Sequence, residues 1–253
     1  MPLVNAFISQ KGGVGKSSLA RALATFAIRV GLTATIADLD VQQRTSTCWE
    51  KIRNRRGVTP AVEVHPFGDA VSAFASSVSD ALLIFDTAGQ INEDTSEVAT
   101  RAQLLVQPTS PSADDLPLSV LVFQALERTG IPRERLVFAL SRVLSDEEQL
   151  YARMYLTEAG YTVLKGSIPE RIEYRQAMRE GASLAETNEP LLKSRIEEVL
   201  TDLLDKAGEQ GQKRSRSVIK YRLGSADPGS RVKPTLARIP RALCGFCEQK
   251  RTR

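Results

Sequence analysis

Ten residues close to the start of the chain limit its architecture more than any other feature. Ser9-Gln10-Lys11-Gly12-Gly13-Val14-Gly15-Lys16-Ser17-Ser18 follows an apolar run at 3–8. It leads into a stretch with Leu19, Leu23, Phe26, Ala27 and Val30 at helical spacing. Strand, glycine-rich loop and amphipathic helix form the context of a phosphate-binding loop. The glycines let backbone N–H groups turn inward and approach phosphate oxygens. The helix N-terminus adds its dipole and unpaired N–H groups. Gly12, Gly13, Val14, Gly15, Lys16, Ser17 and Ser18 are therefore the expected phosphate contacts. Lys16 is placed to reach the β and γ phosphates, and the Ser17 hydroxyl to ligand Mg²⁺.

Further short apolar runs lie at 33–37, 81–85, 104–106 and 136–140. They are continuous rather than alternating, as in strands buried on both faces of a parallel sheet. Helical patterns at 116–128, 146–159 and 191–206 separate or follow them, and Ser145 with Glu148 reads as a capping box. The expected fold is α/β: a doubly wound, mostly parallel sheet flanked by helices, with one domain to residue 206. A composition 42% hydrophobic and 25% charged excludes wholesale disorder. No apolar run approaches the ~18–20 residues that span a bilayer. The first residues lack the pattern of a signal peptide. Three cysteines fit a reducing, cytoplasmic setting, and one histidine, His65, argues against Ser-His-Asp chemistry or a multi-histidine metal site.

The net charge of +4 is unevenly distributed. Residues 207–253 hold 12 of the 34 Lys/Arg and 3 of the 30 Asp/Glu, leaving 22 basic against 27 acidic residues in 1–206. The body is thus acidic and the last 47 residues strongly basic. Their Gly, Ser and Pro content predicts a flexible, basic C-terminal tail. Such a tail, with Lys213, Arg214 and Arg216, serves either a polyanion or solubility alone.

The string KGGVGKSS resembles the deviant Walker A box of the ParA/MinD superfamily of ATPases, in particular the small plasmid-type ParA partition ATPases. Gln10 stands where the general pattern has its first glycine, and a second lysine, Lys11, precedes the glycine pair. The resemblance implies an ATP-sandwich homodimer in which Lys11 reaches the partner's nucleotide, a cation placed where charge accumulates during phosphoryl transfer. Asp38-Leu39-Asp40-Val41-Gln42 looks like the family's D-x-D-x-Q box. By that resemblance Asp40 orients the attacking water and Asp38 supports the Mg²⁺ shell. Trp49 and Arg53 also resemble a feature of plasmid ParA proteins, although Trp49 is equally a core-packing residue. The run ALLIFDTAG at 81–89 resembles a Walker B strand, with Asp86 holding Mg²⁺ and Thr87-Ala88-Gly89 forming a switch.

The segment LLVQPTSPSADDL at 104–116 is similar to the family's strand-end stretch that closes on an aspartate at the dimer face. Asp114 is the first match and Asp115 the alternative. Ser141 stands where many relatives carry an adenine-reading asparagine, and Ile168 and Pro169 correspond to residues flanking the base. Arg171, Arg175 and Arg179 are spaced to line one helix face. They either contribute to non-specific DNA binding or form a solvated face paired with Glu170, Glu173 and Glu180. Cys244 and Cys247 read as free thiols in the tail. The resemblance implies an ATPase of plasmid or chromosome partition, cytoplasmic and nucleoid-associated, using ATP and Mg²⁺. Its ATP dimer binds non-specific DNA and is released by hydrolysis stimulated by a centromere-binding, ParB-type partner, with no stable membrane insertion. The alternatives are a MinD-like membrane-cycling ATPase, and a ParA-like accessory ATPase for DNA transfer or cargo positioning.

Overall fold

The computed structural model describes residues 2–76, 80–90 and 92–224, with side chains described as far as residue 213. The strands are β1 (Leu3–Phe7), β2 (Ala34–Asp38), β3 (Glu63–Pro66), β4 (Leu82–Asp86), β5 (Leu104–Thr109), β6 (Leu136–Val143), β7 (Thr162–Val163) and β8 (Ile168–Pro169). The helices are α1 (Lys16–Arg29), α2 (Thr45–Arg55), α3 (Ala70–Ser76), α4 (Glu93–Arg101), α5 (Asp115–Arg128), α6 (Asp146–Glu158), α7 (Ile172–Arg179) and α8 (Pro190–Gly224). The strands form one sheet ordered β3-β2-β4-β1-β5-β6-β7, with β8 added to β6. Every pairing is parallel. The expected doubly wound parallel sheet is borne out.

The continuous apolar runs have the burial they imply, since β2, β4 and β5 are buried at every position. Alternate residues feed two cores, one on each face. Phe7, Ile36, Ile84 and Val106 pack with Leu19 and Leu23 of α1 and with Ile196, Val199 and Leu203 of α8. Ala6, Leu83, Phe85, Leu105 and Phe138 pack with Val98 of α4, Phe123 of α5 and Leu156 of α6. Strand order reverses at β1: the chain first builds outward through β2 and β3, then returns and builds through β5, β6 and β7. The crevice at the carboxyl end of β1 is therefore the topological switch point, where ligands of such sheets bind.

One expectation changes. Composition ends the last helix at 206, whereas α8 continues to Gly224. Ala207 is fully buried, and Gly211 lies so close to Leu3 that an added Cβ would stand 2.7 Å from Leu3 Cδ2. Packing onto β1 thus overrides the low helix propensity of Gly208 and Gly211. Arg214 and Arg216 lie on this extension, beyond the described side chains, and Cys244 and Cys247 lie outside the described residues.

Trp49 and Arg53 are scaffold residues. Trp49 is buried, donates Nε1–H to the Ala182 carbonyl at 3.0 Å, and is flanked by the Arg21 and Arg53 guanidinium groups. Arg53 is fully buried and forks onto both Glu186 carboxylate oxygens at 2.8 and 2.7 Å. It also bonds the Pro60 and Gly181 carbonyls. Gly181, at φ 79°, passes so near that a Cβ would lie 2.7 Å from Arg53 Cα, so only glycine fits. Truncating Arg53 leaves Glu186 without its partner and opens a cavity. Arg53→Ala is expected to cost about 3–5 kcal/mol of unfolding free energy, read as a lower urea midpoint; an unchanged midpoint would contradict this role.

Candidate nucleotide site

The loop between β1 and α1 takes its shape from two glycines. Gly13 and Gly15 adopt φ of 75° and 106°, a region that side chains with a Cβ disfavour. Gly15 is also the N-cap of α1 and supplies no side-chain cap. The first helical N–H groups are thus left for an external anion. Lys16 opens the helix, is buried, and donates to the Lys11 carbonyl at 3.3 Å, folding its ammonium back over the loop. Burial lowers its pKa, opposed by Asp86 and Asp40. A Cβ built on Gly89 would come within 3.9 Å of both Lys16 Nζ and Gly12, so the turn after β4 lies against the same loop.

The strand ends bring the acidic residues together. The β2–β4 register sets Asp38 beside Asp86, and the β1–β4 register sets Asp86 beside Phe7. Asp86 is fully buried. Its two oxygens accept from Ser17 Oγ at 3.1 Å and Ser46 Oγ at 2.7 Å. Asp38 accepts at Oδ2 from the Thr47 N–H and hydroxyl, both at 2.9 Å, and at Oδ1 from the Asp40 N–H at 3.2 Å. Its carboxylate therefore holds the start of α2 and the following loop. Asp40 is half-buried and accepts from the Gln43 N–H at 2.9 Å, forming a turn that keeps its carboxyl at the crevice.

Sequence reasoning missed the hydroxyl run that ties these pieces together. Thr45 donates to Ser17 Oγ at 2.9 Å, Ser46 to Asp86 and Thr47 to Asp38, while Arg21 Nε donates to Ser46 Oγ at 3.1 Å. The signal was present as three consecutive hydroxyl residues, Thr45-Ser46-Thr47, separated from the acidic box by two residues. Thr87 adds a bond to the Phe7 carbonyl at 2.8 Å, fastening the β4 turn to β1.

Ser141 is placed differently from a base-reading residue. Its hydroxyl donates to the Val14 carbonyl at 2.8 Å, so it supports the phosphate loop from below. Ile168 and Pro169 lie beside it, because β8 pairs with β6 from Ser141 to Val143. Lys11 forms an ion pair with Asp115. Of the two candidate aspartates, Asp115 is the one engaged, while Asp114 is the N-cap of α5 and makes no side-chain capping bond. Burial acts to raise the Asp115 carboxyl, but Lys11, Ser110 and Ser112 outweigh it and hold it below the ordinary value. Arg171, Arg175 and Arg179 are all exposed, and Arg175 pairs with Glu170.

Ser17 is bonded to both Asp86 and Thr45, and Asp38 stands beside Asp86 at the next strand end; oxygen donors of this kind suit a hard cation such as Mg²⁺, which needs one or two carboxylates and shares phosphate oxygens. Among the described residues no group of three or more His, Cys, Asp or Glu could hold a metal by itself. A glycine loop at the switch point of a parallel sheet, with a lysine and strand-end carboxylates facing it, defines a nucleotide-binding P-loop protein. Residues 5–184 match the family described as the CobQ/CobB/MinD/ParA nucleotide binding domain, and the chain belongs to that family. It is 26% identical to Protein ParA of Rhizobium radiobacter over 191 residues, covering 73% of this chain and 85% of that protein. Among solved structures it resembles the septum site-determining protein MinD of Pyrococcus horikoshii OT3 in complex with Mg-ADP. The TM-score is 0.66 at 14% identity, covering 83% of this chain and 99% of that one. A ParA family ATPase from Chlorobium tepidum TLS matches with a TM-score of 0.62 at 16% identity, covering 80% and 99%.

Burial raises the Asp86 pKa from 3.8 to about 6, with Asp38 adding to the shift and Ser46, Arg21 and Ser17 opposing it. The folded state thus holds a proton that the unfolded state has lost between these values. Stability contributed at this site falls as pH rises through that window, and the penalty is full above it. Asp86→Asn mimics the neutral acid. It is expected to raise the melting temperature of the nucleotide-free protein at neutral pH, with the gain shrinking as pH falls toward about 4. A gain that is equal at both ends would contradict the buried-charge account.

Proposed function

We propose that the chain is a Mg²⁺-dependent ATPase of the ParA type that acts in plasmid or chromosome partition. The observation that supports this reading best is Lys11. It precedes the glycine pair and stands at the mouth of the nucleotide loop with its side chain 56% exposed, and among the described residues its ammonium pairs with Asp115. The pair is exposed on its lysine side only: the Asp115 side chain is 6% exposed, and its carboxylate keeps the Ser110 hydroxyl as a partner when the lysine leaves. Lys11 is thus free to exchange Asp115 for a more highly charged partner, the nucleotide phosphates of a second copy.

In this reading Lys16 and the amides of Gly12, Gly13, Val14, Gly15, Ser17 and Ser18 bind the ATP phosphates. Ser17 and Asp86 hold Mg²⁺, which neutralises phosphate charge when bound, and Asp38 supports them by fixing Thr47. Asp40 accepts a proton from the attacking water or orients it. Ile168 and Pro169 flank the base, and Ser141 acts through the loop it supports. The ATP form is a homodimer. It binds DNA through phosphate contacts involving Arg171, Arg175 and Arg179, with Lys213, Arg214 and Arg216 on the α8 side. A ParB-type partner stimulates hydrolysis and release. No helix among the described residues is long and apolar enough to cross a membrane, and we place the protein in the cytoplasm at the nucleoid.

Double-stranded DNA binding with ATP, with ADP and without nucleotide, across a salt series, tests this reading. Binding should require ATP, ignore sequence and weaken steeply with salt, because phosphate contacts release counterions. Absence of DNA binding in ATP would overturn the partition reading and favour the MinD-like alternative, for which acidic liposomes become the ligand to test.

A further inference from the structure

One carboxylate near the nucleotide crevice is surrounded by arginines. Arg142 is the single exposed residue of β6 and has a left-handed backbone at φ 58°, a conformation that costs a residue with a Cβ. Its Nε donates to Glu170 Oε2 at 3.0 Å. Arg175, on the first turns of α7, takes the other oxygen of Glu170. Glu170 is fixed from behind, since its backbone N–H donates to the Val143 carbonyl at 3.0 Å. The layering is clear from exposure: the two arginine side chains are 50% and 57% exposed, and the carboxylate is 27% exposed. Arg171, the N-cap of α7, and Arg179, its last residue, are exposed as well.

The charge therefore faces outward and its neutralising group lies beneath. The two guanidinium groups hold the Glu170 carboxyl below its ordinary value against the opposing effect of burial. Pairs this exposed are weak, so another anion can displace the carboxylate. A phosphodiester suits the exchange, because guanidinium forks bind phosphate oxygens in the same planar geometry as carboxylate. The patch also touches the nucleotide machinery by one residue: Ser141, which holds the Val14 carbonyl, immediately precedes Arg142.

We infer that Arg142 joins Arg175 as a ligand for DNA backbone phosphates, and that Glu170 is the built-in competitor that occupies both in the DNA-free protein. This rests on the DNA-binding reading above and adds to it a residue and a restraint. DNA binding then includes displacing Glu170, which reduces affinity and keeps weak, nucleotide-independent binding low.

The test compares the full chain with Glu170→Gln in ATP, on a random-sequence duplex across a salt series. Glutamine keeps the size and one acceptor oxygen but not the charge. Glu170→Gln should bind on the order of tenfold more tightly at a given salt concentration, as a like charge leaves the phosphate site. Adding Arg142→Asn, which suits the left-handed backbone, together with Arg175→Gln should abolish the gain. It should also make the salt dependence shallower by about two units of log–log slope. If wild type binds DNA in ATP and Glu170→Gln binds no better, the restraint is refuted and the partition reading stands. If neither protein binds DNA, both fail. A gain on phosphatidylglycerol vesicles without a gain on DNA would assign the patch to a membrane and overturn the inference.

Discussion

A fully buried carboxylate bonded to hydroxyls from two helices is the interaction on which the rest of this site depends. Asp86 joins Ser17 at the start of α1 to Ser46 at the start of α2, and stands between β1 and β2 at the strand ends. It shares the joint between the phosphate loop and the acidic loop with the Thr45–Ser17 and Arg21–Ser46 bonds. Its cost is the desolvated charge, visible as a pKa raised to about 6. A buried carboxylate with partners that satisfy it only in part is poised for a cation, which would remove that cost. Scaffold and chemistry thus meet in one residue, with Arg21 and Thr45 completing the ring of contacts.

Much of this was legible because it is local. A glycine loop after a strand, and apolar runs that do not alternate, report backbone geometry and two-sided burial without reference to distant residues. What escaped is what strand order decides. Which carboxylate Ser46 or Thr47 serves follows from β2 lying beside β4, a non-local fact. Asp115 rather than Asp114 meets Lys11 because of the phase in which α5 begins. Ser141 serves the loop rather than standing free because β6 runs beside β5, behind Val14. The length of α8 depends on contact with Leu3, more than two hundred positions away, against a local composition that argued for a break.

Charge carries the step from site to function. The body of the chain is acidic in sum, with 22 basic against 27 acidic residues over 1–206. An attraction to DNA therefore has to be local, and arginines collect where α7 follows β8, at the same carboxyl end of the parallel strands as the phosphate loop. Several of the cations proposed to act on phosphate are held by carboxylates of the same chain: Lys11 by Asp115, Arg142 and Arg175 by Glu170. In each pair the cation is the more exposed member and the carboxylate lies deeper. In the proposed reading, such pairing restrains the monomer from binding anions indiscriminately, and a second copy, or DNA, competes for the cation.

The most direct test of the account is the mass of the protein in solution with a non-hydrolysable ATP analogue and Mg²⁺, compared with Mg-ADP. The account predicts a dimer with the analogue and a monomer with ADP, with Lys11→Ala remaining monomeric in both. A wild-type chain that stays monomeric at saturating analogue, or a Lys11→Ala variant that dimerises as wild type does, would contradict it.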